Sequence, residues 1–157
     1  MRLTKQTNYA VRMLMYCAAN KDRLSRIPEI ARAYGVSELF LFKILQPLNK
    51  AGLVETVRGR NGGVRLGRPA DKITLFDVVK VTEDSFAMAE CFEDDGEIDC
   101  PLVDSCGLNA ALRRALGAFF EVLSEYTIED LVKARPHINF LLGLSDAPAK
   151  TVSAPAA

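Results

Sequence analysis

A single histidine, His137, stands in the whole sequence, and it follows a proline with no third group placed to orient it. That scarcity argues against an enzyme built on a cysteine nucleophile, which needs a base and a group to orient the base. Long apolar runs are also lacking, so no segment is suited to crossing a bilayer. Lys5 and Arg12 interrupt the N-terminal stretch, and no small-residue cleavage site follows it. The expectation is a cytoplasmic protein without a signal peptide. Thiols stay reduced in that compartment, which disfavours a disulfide framework. The C-x2-C pair of a zinc knuckle or ribbon is missing. Internal repeats are missing too. Between Glu83 and Asp104 there is no Lys or Arg, against nine carboxylates.

What is present is enough for one domain with a solid core, or a small domain plus an oligomerising arm: 157 residues, 49% of them hydrophobic. The formal net charge of zero hides a division. Residues 1–70 carry 13 Lys and Arg against 4 Asp and Glu, a net of +9, and residues 71–157 carry 7 against 16, a net of −9. An N-terminal half this basic is the footprint of a polyanion-binding module. A salt-bridged pair of half-domains is the bland alternative.

The basic half reads as helices followed by a hairpin. Capped by Thr4 or Thr7, a first helix is predicted from about Asn8 to Asn20, with Tyr9, Met13, Tyr16 and Cys17 facing the core. Cys17 reads as a small buried hydrophobe. The stretch over residues 27–37 holds a short helix, with Pro28 in its first turn and Gly35 ending it. Ser37 then caps a second helix that closes at Gly52, with Pro47 inside it predicting a kink. Helix, glycine turn and helix make a helix-turn-helix, whose second helix can enter the major groove. Its exposed start is unusually apolar: Leu39, Phe40 and Phe42 stand there, leaving Ser37, Glu38 and Lys43 for polar base contacts. Leu53–Val57 and Val64–Leu66 then alternate as two strands around a turn in which Gly59, Asn61, Gly62 and Gly63 are able to take positive φ. Arg58, Arg60, Arg65 and Arg68 decorate this hairpin, which suits phosphates or a narrow minor groove. Helix-turn-helix plus basic hairpin is a winged helix. The fold class is thus mainly α with a small β-hairpin.

In the acidic half, Thr74 and Asp77 have capping-box spacing and open a helix to about Thr82, with Phe76, Val78, Val79 and Val81 largely buried. Three of the four cysteines follow within sixteen residues: Cys91, Cys100 and Cys106, spaced C-x8-C-x5-C. Thiolates so close together most often share a metal or a cluster. Beyond Cys106, apolar residues at 108, 112, 115, 116, 119, 120, 123 and 126 predict a helix of about twenty residues with a broad apolar stripe. Pairing with the same helix of a second subunit is the natural way to cover it. Thr127 opens another helix that Pro136 stops, a short apolar helix reaches Leu144, and the Pro/Ala-rich tail is expected to be disordered. The expected organisation is a winged helix-turn-helix domain over 1–82, an acidic cysteine loop over 83–106, a dimerisation helix and C-terminal helices over 107–144, and a tail over 145–157.

The opening M-R-L-T-K-Q-T-N-Y-A-V-R, the wing V-R-G-R-N-G-G-V-R-L-G and the three cysteines with their second gap of five together resemble the bacterial winged-helix iron–sulfur regulators of the IscR, NsrR and RirA type. The resemblance runs to about residue 144. S-E-L-F-L-F-K-I-L-Q-P-L and F-A-M-A-E-C-F-E-D-D-G look most like the rhizobial iron-regulator (RirA) branch. It implies a homodimer that binds a palindromic double-stranded DNA operator, with neither a membrane nor a small-molecule substrate as partner. It also implies an iron–sulfur cluster, of the 4Fe–4S kind with conversion to 2Fe–2S as a further expectation, on Cys91, Cys100 and Cys106. The DNA contacts expected are Arg2, Thr4 and Lys5 at the start, Ser37, Glu38, Leu39, Phe42 and Lys43 on the second helix, and Arg58, Arg60, Asn61, Gly62 and Gly63 on the wing.

The fourth ligand does not carry over. Members of the NsrR type use a partner-subunit Asp where this chain has Asn8, and members of the IscR type use a His where it has Asn109. Neither Asn is a good iron ligand. The nearby carboxylates add negative charge beside an anionic site and disfavour retention of a cluster, while the helix that starts after Cys106 opposes them. The function these features imply is an iron-responsive repressor of iron-uptake genes with a labile cluster. A nitric-oxide-sensing or redox-sensing iron–sulfur repressor and a zinc-stabilised repressor are the alternatives.

Overall fold

The structure, a computed structural model, describes residues 2–92, 100–102, 106–135 and 137–144. Helices α1 (Lys5–Ala19), α2 (Ile27–Tyr34) and α3 (Glu38–Lys50) precede an antiparallel hairpin of β1 (Val54–Val57) and β2 (Gly63–Leu66). A 3-10 turn at Ala70–Lys72 leads into α4 (Leu75–Thr82), and another at Glu90–Phe92 carries Cys91. The long α5 (Gly107–Glu125) and the short α6 (Ile128–Lys133) and α7 (Ile138–Leu141) follow.

Local chemistry sets most of these boundaries. α1 starts earlier than the apolar spacing indicates because Thr4 is its cap, its Oγ1 accepting from the Thr7 N–H at 3.2 Å. Gly35 ends α2 in the left-handed conformation, at φ 63°, that glycine adopts without strain. Ser37 caps α3 through the Phe40 N–H at 3.3 Å. The helix runs on through Pro47 to Lys50, because Ile44, Leu45 and Leu48 are buried on either side of the proline and hold it in place. Capping boxes open α4, between Thr74 and Asp77, and α6, between Thr127 and Asp130.

In the wing the glycines have two different reasons. Only Gly59 takes a positive φ, of 112°; Asn61, Gly62 and Gly63 do not. Gly62 and Gly63 are glycines for lack of room: a Cβ on Gly63 would lie 2.7 Å from the Ser25 carbonyl oxygen, and one on Gly62 would strike the Val57 carbonyl. The Gly63 approach lets Ser25 bridge to Val64, fastening the wing to the loop between α1 and α2.

The core lies where α1 packs against α3, α4, α6 and β2. Met13, Leu14, Ile30, Leu41, Ile44, Leu48, Ile73, Val78 and Ile128 are completely or almost completely buried in it. Cys17 is 3% exposed there, and burial pushes its thiol up to about 12 against a smaller opposing hydrogen bond with Ser25. Of the other residues expected inside, Tyr9, Phe76 and Val81 are half-buried. Ile128 joins this core from the C-terminal part because the Ile128 N–H donates to the Ile73 carbonyl and the Leu75 N–H to the Tyr126 carbonyl, both at 2.9 Å. The far end of α5 is thereby stitched to the start of α4.

Candidate functional site

Two sites are built on this frame. On the first, α3 buries Leu41, Ile44, Leu45 and Leu48 and turns its other face outward, with Leu39 71% and Phe42 51% exposed. Glu38 and Lys43 are exposed beside them, while Ser37 is exposed but spends its oxygen on the cap. The same face continues through Gln46, Asn49 and Lys50, all exposed. These three lie beyond the first turns of the helix, where the sequence alone places the base contacts. Their spacing from Leu39 and Phe42 (positions 39, 42, 46, 49 and 50) is the signal that would have found them. Two large apolar side chains followed by amides and a lysine form a surface able to read thymine methyls and base edges together.

The start of α1 reaches this face. Lys5 Nζ lies 5.6 Å from the Phe40 ring centre, and Tyr9 packs edge-on against the same ring at 5.6 Å. Arg2 and Lys5 are exposed. Thr4 is committed elsewhere: its N–H and hydroxyl both donate to Glu83 Oε1, at 2.7 and 3.0 Å. Thr7 joins the same carboxylate and shares a 2.7 Å hydrogen bond with Thr82. Glu83, expected on the loop side of the boundary at 82, thus ties the end of α4 to the cap of α1.

On the wing, Arg58, Arg60 and Asn61 are exposed at the tip, with Gly62 and Gly63 partly covered behind them. Arg65 is held by Glu55 through two hydrogen bonds, of 2.9 and 3.0 Å, directly across the hairpin. Arg68 lies 3.9 Å from Asp77. Among the described residues Arg58 and Arg60 have no ion pair, so the tip keeps the positive charge that the flank has neutralised.

The second site gathers around Asn109. Cys91, Cys100 and Cys106 are free and half-buried, in contrast to the fully buried Cys17. Cys106 is the N-cap of α5, its Sγ accepting from the Asn109 N–H at 3.4 Å. It stands where the unpaired amides of a 19-residue helix favour negative charge. The Asn109 side chain donates to Cys91 Sγ at 3.0 Å, so thiols from two separate segments converge on one residue. Arg113 completes the group: its Nε donates to Asn109 Oδ1 at 2.8 Å, and its guanidinium lies 4.8 Å from the Phe92 ring centre. This donor set, soft thiols with a helix N-terminus and an arginine beside them, fits the chemistry of an anionic metal–sulfur group. Among the described residues no three His, Cys, Asp or Glu side chains stand close enough to hold a single metal ion. Glu93, Asp94, Asp95 and the other acids at 97, 99 and 104 lie outside the described residues. Asn8 is exposed on α1, and His137 is exposed with a left-handed backbone, at φ 65°. An aromatic group of Phe76, Phe86, Phe119 and Phe120, with ring centres 4.9–5.8 Å apart, links α4, the segment leading to Cys91 and α5.

Comparison with known proteins matches these features. The model of the Rrf2 family, described as an iron-dependent transcriptional regulator, matches residues 3–134. Protein aau3 of Rhizobium meliloti (strain 1021) is 88% identical over 146 residues, covering 93% of this chain and 94% of its own. The HTH-type transcriptional regulator NsrR of Bacillus licheniformis is 42% identical over 144 residues, covering 90% and 99%. Among solved structures, CymR, the global cysteine regulator of B. subtilis, is similar at a TM-score of 0.67 with 28% identity, covering 87% of this chain and 99% of its own. IscR of T. potens is similar at 0.66 with 25% identity, covering 85% and 88%. Read together with the winged helix-turn-helix and its basic tip, these likenesses identify a DNA-binding transcriptional regulator and not an enzyme: the chain belongs to the Rrf2 family.

Proposed function

We propose that this regulator is an iron-responsive repressor of iron-uptake genes, which senses iron through a labile iron–sulfur cluster on Cys91, Cys100 and Cys106. The observation that carries the reading is the convergence of Cys91 and Cys106 on Asn109, at 3.0 and 3.4 Å, at the N-terminus of the helix that leads back to the DNA-reading core. Relatives named NsrR and IscR support a cluster in this place. When bound, the cluster supplies a covalent link among the three cysteine segments that chelation of iron removes.

The chain's own residues do the rest. Cys106 fixes the start of α5, and Phe86, packed edge-on against Phe120 at 4.9 Å, fixes the approach to Cys91. The Ile73–Ile128 and Leu75–Tyr126 hydrogen bonds carry the position of the α5 end into the core of the DNA-binding domain. The apolar residues left exposed on α5, among them Leu108 and Val122, support a homodimer with the two reading helices presented to a palindromic operator. Arg2 and Lys5, the α3 face and the Arg58–Arg60 tip are the proposed DNA contacts, with the tip as the salt-sensitive phosphate or minor-groove element.

Anaerobic purification tests the reading. A brown protein with visible absorbance and bound iron and sulfide is expected, with the colour lost in Cys91→Ser, Cys100→Ser and Cys106→Ser and kept in Cys17→Ser. A colourless protein holding zinc would replace it with a zinc-stabilised repressor. Exchange of Glu93, Asp94 and Asp95 for Gln, Asn and Asn should slow loss of the cluster to a chelator; unchanged or faster loss would count against the proposed lability.

A further inference from the structure

Resting on the reading of the three cysteines as cofactor ligands, we infer that Asn109 is a positioning residue and not a coordinating one: it clamps Cys91 to Cys106, with Arg113 fixing the clamp. Asn109 stands where the resemblance places a ligand, yet its side chain is turned for a different task. An asparagine amide has one oxygen able to approach a metal and one nitrogen able only to donate. Arginine carries donors alone, so the atom that meets Arg113 Nε at 2.8 Å is the oxygen. The nitrogen then faces Cys91 Sγ at 3.0 Å as a donor. The amide orientation follows from this network, and it leaves the one atom capable of ligation already engaged.

The clamp has two jaws on one helical turn. Asn109 offers its backbone N–H to Cys106 and its side-chain N–H to Cys91, bringing together thiols that are 15 positions apart. Four residues on, Arg113 reaches back to Asn109 and lies 4.8 Å over the ring of Phe92, the neighbour of Cys91 in its 3-10 turn. Cys91 and Phe92 of this three-residue turn are thus both seated on α5 by side chains. Two thiols are pre-arranged for loading, and hydrogen bonds to sulfur of this kind adjust the potential of a cluster without adding a ligand. The residue at the position of the missing ligand supplies a hydrogen bond in its place.

The test uses the full-length apo protein, reduced and stripped with a chelator. Dibromobimane, which bridges neighbouring thiols, is followed by peptide mass mapping. The Cys91–Cys106 bridge should form readily in the wild type. Asn109→Ala and Asn109→Asp both lose the donor while differing in charge, and each should slow bridging about fivefold, roughly the worth of one net hydrogen bond. Arg113→Met keeps Asn109 but frees its amide, and should slow bridging by a smaller factor. Wild-type bridging in either variant overturns the inference, because Asn109→Ala and Asn109→Asp both lack the side-chain donor to Cys91 whatever their charge. A spectroscopic readout stands beside it: in 15N-labelled apo protein the Asn109 side-chain amide signals should shift in Cys91→Ala, and unshifted signals also overturn the inference. Circular dichroism confirms that each variant is folded. These readouts need no cofactor. A colourless protein that gives them keeps the clamp and loses the cluster reading, whereas a brown protein that fails them does the reverse.

Discussion

In residues 2–82 four helices and a hairpin close over a common core in which Met13, Leu41, Ile44 and Val78 have no exposed surface, whereas α5, the longest helix, has no buried residue along its 19 positions. The first region is finished by its own chain. Its helix ends are capped by Thr4, Ser37 and Thr74, its wing is fastened through Ser25 and Val64, and its one buried thiol is inert. The second region is held by a few specific bonds: an amide between two thiols, an arginine over a phenylalanine, and the stitch from Tyr126 and Ile128 to Ile73 and Leu75. A segment that stays so open in one chain is suited to being completed by something outside it. The proposed partners, a second copy along α5 and a cofactor at the cysteines, answer that incompleteness.

The two regions differ most in how much a core substitution costs. Leu41→Ala removes a fully buried side chain and should destabilise the DNA-binding domain by about 2–5 kcal/mol, read as a lower midpoint in thermal or urea unfolding. A cost near that of a surface change would show that the first region is not self-sufficient. Val122→Glu, at a position 50% exposed, should leave unfolding of the monomer nearly unchanged and weaken self-association at least about tenfold by light scattering. An unaffected dimer would move the interface off this part of α5.

The wing divides within itself. Arg58→Ala or Arg60→Ala should weaken operator binding and lower the salt slope by about 1 in a titration series. Arg65→Ala should change it less, because Glu55 already neutralises that guanidinium. Equal losses at Arg65 and Arg58 would contradict the placement of the contact at the tip. Smallest at neutral pH is the effect of Tyr34. Burial holds its phenol up at about 12, above the ordinary 10.0. The unfolded chain therefore loses this proton first as pH rises, and the stability that Tyr34 contributes is full below 10.0 and lost as pH climbs towards 12. Tyr34→Phe should flatten that alkaline decline in unfolding measurements, and an unchanged decline would assign it to other groups.

What could be read from the sequence and what could not follows the range of the forces involved. The caps at Ser37, Thr74 and Thr127, the glycine end of α2 and the apolar stripe of α5 were legible because each is decided within a few residues. Gly62 and Gly63 were legible as glycines of the wing but not for their cause: Gly63 is the first residue of β2 and not part of the turn, and it is the Val57 and Ser25 carbonyls, and not φ, that leave no room for a side chain. The Thr4–Glu83 tie and the Asn109–Cys91 bond were not legible. They join residues 79 and 18 positions apart, and nothing in the local pattern of either partner announces the other. At the site, the three cysteines were visible as a group. The task of Asn109 depends on which way Arg113 turns its amide, which only the fold decides.

In the proposed mechanism the cysteine region, when loaded with its cluster, sets the DNA-binding region for its operator. An anaerobic DNA-binding titration of the same protein preparation before and after iron chelation, at one salt concentration, tests it most directly. A clear loss of operator affinity on chelation, in step with the loss of visible absorbance, is the predicted result. Affinity that stays the same or rises as the colour disappears would contradict it.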